Sequence, residues 1–213
     1  MSDLEFWYDF HSPWAYLAAT QIEALARRHG LGVRWRPLHL PRLNEVIKGR
    51  RPLEENPAFV SWYKQDLQDW AALYGIVVRY HPAYPLKPAR ALRAALRAAE
   101  LGAAARFALA VFGAYWSEGR DISDLAVLGE LAGSCGLAAS EIMGVAQDER
   151  YRRILDENTK EAIARGVFGV PSIFWREKLF FGNDRLGLLE RWLNRGQESA
   201  GHVSDAPGPP NHR

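Results

Sequence analysis

Strand patterns occur near the two ends of this sequence and are missing from its long middle. Residues 4–10 and 32–38 alternate between apolar and other side chains, as strands do. A helical pattern joins them. Ser12 and Pro13 suit its start, because serine caps helices well and proline lacks an N–H that the first turn would leave unpaired. The chain is therefore expected to begin as a strand–helix–strand unit.

Two further strand patterns and a last helix follow much later. We expect strands at 170–175 and 178–181 and a helix over about 184–195. The segments between the two units are rich in alanine and leucine, have helical spacing and are separated by glycines. These helical segments are 57–75, 87–102, 104–117, 123–134, 138–146 and 149–166.

The two strand-bearing units are expected to share one sheet, because neither has enough strands to bury its faces alone. The sequence thus predicts an α/β domain built from residues 1–40 and 166–196. A helical insertion over 41–165 would divide it. The Pro- and Gly-containing segment 197–213 is expected to be a disordered tail.

Composition excludes several classes of function. Cys135 is the single cysteine, so the chain has no C-x-x-C motif and no pair of thiols for disulfide exchange. The 27 basic and 25 acidic residues nearly cancel, which gives no support for nucleic-acid or membrane binding through bulk charge. The histidines show no metal-ligand spacing. We find no secretory signal and no membrane-spanning apolar run, and we expect a cytoplasmic protein.

The first candidate site is Phe10-His11-Ser12-Pro13, where a strand passes into a helix. The free N–H groups and the positive end of a helix favour an anion there, including a thiolate. The alternative is that the Ser12 hydroxyl only caps the helix, which is the commoner role of serine at such a position.

The second candidate site is GVFGVP at 166–171, which ends a helix and enters a strand. A cis bond before Pro171 would free the backbone groups of Val170 to face a ligand, and cis bonds are largely confined to proline. The alternative is a helix stop followed by an ordinary strand start.

The third candidate site is FGNDR at 181–185, at the start of the last helix. Free N–H groups at that point suit a ligand carboxylate, and Asp184 suits a ligand ammonium group. The alternative is that Asn183 or Asp184 only caps the helix. In the split α/β arrangement the three sites lie at one edge of one sheet, where ligands collect in open α/β folds.

These segments resemble a known family. FWYDFHSPWAYLA at 6–18 resembles the active-site stretch of 2-hydroxychromene-2-carboxylate isomerases and kappa-class glutathione transferases. KQDLQDWAALYGI at 64–76 resembles the isomerases, and GVFGVP with FFGNDRLGLLE at 166–190 is closer still. The resemblance covers about residues 4–195 in the same order.

The resemblance implies a thioredoxin-like domain with a helical insertion that binds reduced glutathione as a cofactor. It assigns to Ser12 a hydrogen bond to the glutathione sulfur. It assigns to Val170, before a cis-proline at Pro171, backbone pairing with the cysteinyl part. The residues that match the segment gripping the γ-glutamyl end are Phe181, Gly182, Asn183 and Asp184. Tyr84 falls where the isomerases have a substrate-contacting tyrosine.

The chain also departs from the family pattern. His11 stands where relatives usually have an aliphatic residue, and Ala15 replaces a serine common in the isomerases. Arg50 and Arg51 occupy the region of a glutathione-binding asparagine of the kappa class. None of these differences changes the matches at Ser12 and at Val170-Pro171.

The function that the resemblance implies is glutathione-dependent isomerisation in aromatic-compound degradation, by reversible thiolate addition to a conjugated double bond. One alternative is a kappa-class-like glutathione transferase, which would release the conjugate. Another is a non-catalytic thioredoxin-like binding module. We expect a small aromatic or conjugated substrate and a homodimer, and neither nucleic acid nor membrane as a partner.

Overall fold

A computed structural model of the chain describes residues 3–48, 56–82, 87–145 and 148–201, the last five of these by their backbone alone. The strands are β1 (Leu4–Tyr8), β2 (Val33–Pro37), β3 (Ser172–Trp175) and β4 (Lys178–Phe181). The helices are α1 (Pro13–Arg28), α2 (Leu40–Ile47), α3 (Pro57–Leu73), α4 (Ala89–Glu100), α5 (Ala104–Trp116), α6 (Leu125–Ser134), α7 (Ala139–Val145), α8 (Glu149–Ala164) and α9 (Leu186–Gly201). A 3₁₀ turn, Asn183–Arg185, precedes α9.

The described strands form one sheet in the order β2-β1-β3-β4. β1 runs parallel to β2 and antiparallel to β3, and β3 and β4 form an antiparallel hairpin. The prediction that the two ends of the chain share one sheet is therefore confirmed. Helices α2 to α8 lie in sequence between the two parts of that sheet.

The register of the sheet brings three chain segments to one edge. Trp7, near the end of β1, pairs with Ser172 at the start of β3, and Ser172 pairs with Phe181 at the end of β4. The segments that follow β1, precede β3 and follow β4 therefore meet there. These are the three segments that carry the candidate sites.

Aromatic rings join the sheet to the helical insertion. Phe112 of α5 is fully buried, and its ring centroid lies 5.7 Å from that of Tyr8, 4.8 Å from Phe10 and 5.6 Å from Tyr16. These three rings belong to β1, to the turn after it and to α1. One continuous apolar core therefore serves both the sheet and the inserted helices.

Three strands are shorter than predicted, and β2 covers Val33–Pro37 rather than 32–38. β1 ends at Tyr8 rather than at residue 10, because the Ser12 N–H donates to the Asp9 carbonyl oxygen at 3.1 Å and closes a turn. β3 begins at Ser172, after the Val170-Pro171 pair rather than with it. β4 has the predicted bounds.

The sequence did not predict α2. Its cap residue His39 makes no side-chain capping bond. Instead, Oγ1 of Thr159 accepts the His39 N–H at 3.0 Å, and Oδ2 of Asp9 accepts the Leu40 N–H at 2.7 Å. Distant side chains therefore satisfy the first donors of this helix.

The last helix also differs from the prediction. It begins at Leu186, after the 3₁₀ turn, rather than at about 184, and its backbone reaches Gly201. Residues 197–201, expected as the start of the tail, are thus helical. The remaining tail, 202–213, lies outside the described residues.

Candidate active site at one edge of the sheet

Ser12 caps α1. Its side-chain oxygen accepts the N–H of Ala15 at 3.1 Å, its backbone is extended, and Pro13 occupies the first helical turn. The residue is 6% exposed. The capping geometry predicted for Ser12 and Pro13 is therefore present, at the positive end of a sixteen-residue helix.

The Ser12 hydroxyl reaches beyond its own helix. It donates to the carbonyl oxygen of Val170 at 3.2 Å, across a sequence separation of 158 residues. The bond between Val170 and Pro171 is cis, as predicted. The first and second candidate segments therefore meet directly. Since a hydroxyl has a single proton to donate, a ligand acceptor at this point would compete with the Val170 oxygen for it.

Phe181 and Gly182 extend the site from β4. The Gly182 N–H donates to the Pro171 carbonyl oxygen at 3.0 Å. The Phe181 ring lies 4.4 Å from that of Phe168, between centroids, and the two residues are 40% and 53% exposed. A Cβ atom on Gly169 would lie 2.8 Å from Phe181 Cε2, so the close approach of this ring requires glycine there.

Asn183 is buried, 2% exposed, and neither its side-chain oxygen nor its side-chain nitrogen makes a hydrogen bond of normal geometry. Buried amides of this kind are uncommon, because an unpaired polar group costs free energy away from water. Asp184, the next residue, is half-exposed and pairs with Arg185 at 3.4 Å. Asn183 thus offers unused polar atoms, and Asp184 an accessible carboxylate.

One face of α3 lies beside this turn. Burial raises the pKa of the Tyr74 hydroxyl, an effect that the neighbouring Asn183 side chain partly opposes and the Asp184 charge reinforces. Burial also raises the pKa of the Asp66 carboxyl, and the negative charges of Asp69 and Asp184 raise it further. The carboxylates of Asp66 and Asp184 are therefore close enough to repel each other.

Aromatic side chains continue along α3 towards the start of α1. The Trp14 indole N–H donates to the Tyr63 hydroxyl at 2.8 Å, and the ring centroids are 5.5 Å apart. Phe59 lies 5.9 Å from Tyr63 between ring centroids. The sequence showed these positions only as a helical pattern. Spacings of three and four residues from Phe59 to Tyr74 were the signal that they share a face.

Asp9 is a residue that sequence reasoning placed in a strand and did not assign to the site. It is fully buried, and its carboxylate accepts the N–H of His11 at 2.9 Å and that of Leu40 at 2.7 Å. Burial raises the pKa of this carboxyl, and the nearby His11 and His39 side chains partly oppose that rise. The sequence signal that could have drawn attention to Asp9 is the position of a charged residue between the aromatic residues Tyr8 and Phe10.

Some residues that the sequence analysis singled out do not belong to the group of side chains at this edge of the sheet. Tyr84, Arg50 and Arg51 lie outside the described residues. The single cysteine, Cys135, lies at the end of α6. Among the described residues, no cluster of three acidic, histidine or cysteine side chains is arranged to hold a metal ion. No helix in the described part of the chain has the length and apolar character needed to cross a bilayer.

Known proteins resemble this chain over nearly its whole length. The family described as a DSBA-like thioredoxin domain matches residues 3–194. The 2-hydroxychromene-2-carboxylate isomerase of Pseudomonas putida is 35% identical over 197 residues, covering 90% of this chain and 94% of the relative. Glutathione S-transferase kappa 1 of Caenorhabditis elegans is 26% identical, covering 91% and 92%. A solved 2-hydroxychromene-2-carboxylate isomerase structure matches with a TM-score of 0.84 and 30% identity, covering 95% and 99%.

Proposed function

Because this chain belongs to the DSBA-like thioredoxin domain family and, within it, to the 2-hydroxychromene-2-carboxylate isomerases, which are enzymes, we propose that it is a glutathione-dependent isomerase. The observation that carries the proposal is the Ser12 hydroxyl, at the head of α1 and 3.2 Å from the Val170 carbonyl oxygen. A hydroxyl at this place can donate a hydrogen bond to a sulfur anion and cannot itself exchange disulfides.

The residues at this edge of the sheet fit glutathione in chemical type. Ser12 and the N-terminus of α1 suit the thiolate, and Val170 brings its backbone to the same point. Asn183 supplies a buried amide with unused polar atoms near a helix start, which suits a carboxylate. Asp184 supplies a negative charge for the ammonium group of the γ-glutamyl end. Phe181 and Gly182 connect these groups along the chain, and the Gly182 N–H donates to the Pro171 carbonyl oxygen.

When bound, glutathione would supply a thiolate that adds reversibly to a conjugated double bond and so permits rotation about it before leaving. The Ser12 O–H would turn from the Val170 oxygen towards the sulfur, while the Ala15 N–H keeps the Ser12 oxygen in place. The positive end of α1 and this hydrogen bond both lower the pKa of a thiol from its ordinary value near 8.5.

The proposal extends to the setting of the reaction. We propose a small aromatic or conjugated substrate, a role in aromatic-compound degradation, a cytoplasmic location and a homodimer. Tyr84 is proposed as a substrate contact. The curated relatives named as 2-hydroxychromene-2-carboxylate isomerases support the substrate class.

A kappa-like glutathione transferase is the second candidate, which the relative from C. elegans favours. The two activities differ in the fate of glutathione. The experiment is to supply 2-hydroxychromene-2-carboxylate and reduced glutathione, then follow substrate, isomer and free thiol by chromatography. An isomerase returns all the thiol, whereas a transferase consumes one thiol per product. Glutathione binding without either reaction would indicate a binding module and overturn the proposal.

Replacing Asp184 by asparagine is expected to weaken the binding of reduced glutathione by about fivefold. An ion pair at a half-exposed carboxylate contributes up to about 1 kcal/mol, and asparagine keeps the shape without the charge. Isothermal titration calorimetry measures the change. Glu177→Gln is the matched control, because it removes an exposed charge at the other end of the β3–β4 hairpin.

A glutathione analogue that lacks the α-amino group should bind the wild type and Asp184→Asn equally well, because its γ-glutamyl end has no ammonium for Asp184 to pair with. Equal affinity of both proteins for glutathione itself would show that Asp184 does not hold the ammonium.

A further inference from the structure

We propose that Asp9 is a positioning residue for Ser12, which ties the turn at residues 9–12 to the start of α2 and thereby fixes the direction of the Ser12 hydroxyl. The role of Asp9 in holding the turn rests on its hydrogen bonds in this structure. The effect on a bound thiol rests on the proposed function.

Asp9 holds this turn with both its side chain and its backbone. Oδ1 accepts the His11 N–H at 2.9 Å, and the Asp9 carbonyl oxygen accepts the Ser12 N–H at 3.1 Å. Oδ2 accepts the Leu40 N–H at 2.7 Å, 31 residues along the chain. One buried carboxylate thus connects the residue before Ser12 to the first turn of another helix.

Asp9 differs from the ordinary helix caps of this chain. Asp124 and Asp148 each cap the helix that directly follows them, through an N–H two residues on, at exposed positions. Asp9 is fully buried and serves a helix start that is distant in sequence. Burying a carboxylate is costly unless donors satisfy it, and the two backbone N–H groups do so.

A second helix of the insertion also bonds to this turn. The indole N–H of Trp116, at the end of α5, donates to the Phe10 carbonyl oxygen at 2.8 Å, and Trp116 is fully buried. The turn before Ser12 is therefore bonded both to the start of α2 and to the end of α5. With its O–H directed to Val170, Ser12 has little freedom to shift while these bonds hold.

The Asp9→Asn variant distinguishes a positioning role of Asp9 from a purely electrostatic one, because the two roles predict opposite changes in the pKa of the bound thiol. The two N–H groups face different oxygens of the carboxylate, and asparagine puts an NH₂ donor in place of one of them, so one bond is lost and the turn would loosen. A misplaced Ser12 hydroxyl would raise the pKa of the bound thiol. Removing a negative charge near the sulfur would instead lower it. The other titratable side chains acting on Asp9 are His11, His39 and Tyr8.

The experiment titrates the ultraviolet absorbance of the thiolate of bound reduced glutathione against pH. We expect Asp9→Asn to raise the midpoint by about one unit, which is a tenfold loss of thiolate below the midpoint. In a Ser12→Ala background the same substitution should no longer raise it. Asp9→Glu keeps the charge but displaces the carboxylate, so it should raise the midpoint too. If Asp9→Asn does not fold, Asp9→Glu is measured in its place.

Thr159→Val is the matched control, because it removes the acceptor of the His39 N–H at the same helix start without touching the turn. It should leave the midpoint unchanged. Amide hydrogen exchange without glutathione gives an independent reading. Asp9→Asn should speed exchange at His11 and Leu40, while Thr159→Val should speed it at His39.

A lowered or unchanged midpoint in folded Asp9→Asn, or an equal rise in the Ser12→Ala background, would overturn the inference. Unchanged exchange at His11 and Leu40 would do the same. If the wild type binds no glutathione, the proposed function fails, and the exchange measurements still decide whether Asp9 holds the turn.

Discussion

Ser12→Ala is expected to raise the pKa of the bound glutathione thiol by about one to two units and to slow isomerisation about 10- to 100-fold below the thiol midpoint. The substitution removes a hydrogen bond to a charged sulfur, worth about 1.5–3 kcal/mol, and one pKa unit corresponds to about 1.36 kcal/mol. Activity should recover as the pH rises, because the thiolate then forms without help. The bond from Ser12 to the Val170 oxygen is lost as well, but in the proposed glutathione complex the Ser12 O–H has already turned from that oxygen to the sulfur.

The measurement is a pH profile of kcat/KM together with the thiolate titration. The fold should remain, because losing a cap costs about 0.5–2 kcal/mol of unfolding free energy. Asp124→Ala is the matched control, since it removes the cap of α6. In the wild type, Oδ1 of Asp124 accepts the Ala126 N–H at 2.8 Å. The control variant should lose similar stability with no change in the thiol. A thiol midpoint that stays at the wild-type value in folded, glutathione-binding Ser12→Ala would refute the role proposed for Ser12.

Phe112→Ala is expected to lower the free energy of unfolding by about 3–5 kcal/mol, the usual cost of removing a fully buried phenylalanine ring. This ring contacts β1, the turn before Ser12 and α1, so its loss leaves a cavity between the sheet and the helical insertion. Denaturant unfolding followed by circular dichroism and by tryptophan fluorescence measures the change. Leu73→Ala, at a side chain that is 72% exposed, should change stability by less than about 0.5 kcal/mol.

Because the sheet and the insertion share a core, both optical signals should shift together in Phe112→Ala. Separate transitions, with the sheet unaffected, would contradict a common core. A decrease of less than about 1 kcal/mol in the free energy of unfolding of Phe112→Ala would contradict the burial of Phe112.

The features of this protein that were predictable without coordinates are those that local physical chemistry controls. Alternation and helical spacing gave the order of the predicted elements and the bounds of β4, because these periods follow from backbone geometry. The cap at Ser12 was readable because it acts on an N–H only three residues away. The meeting of both chain ends in one sheet followed from the inability of either strand pair to bury its faces. The single cysteine excluded a dithiol.

Tertiary structure decided what depends on partners far along the chain. Helix α2 was not predicted because distant side chains accept its first N–H groups. These are Asp9, just after β1, and Thr159, in α8. The same distance explains why the sequence placed Asp9 in a strand, since one of the two N–H groups that satisfy its buried carboxylate comes from Leu40, 31 residues along the chain. The resemblance anticipated a common site, but the direction of the Ser12 hydroxyl towards Val170 became visible only once β1 and β3 were paired. Local patterns carry no information on such pairs, because their free energy depends on contacts that form when the chain closes on itself.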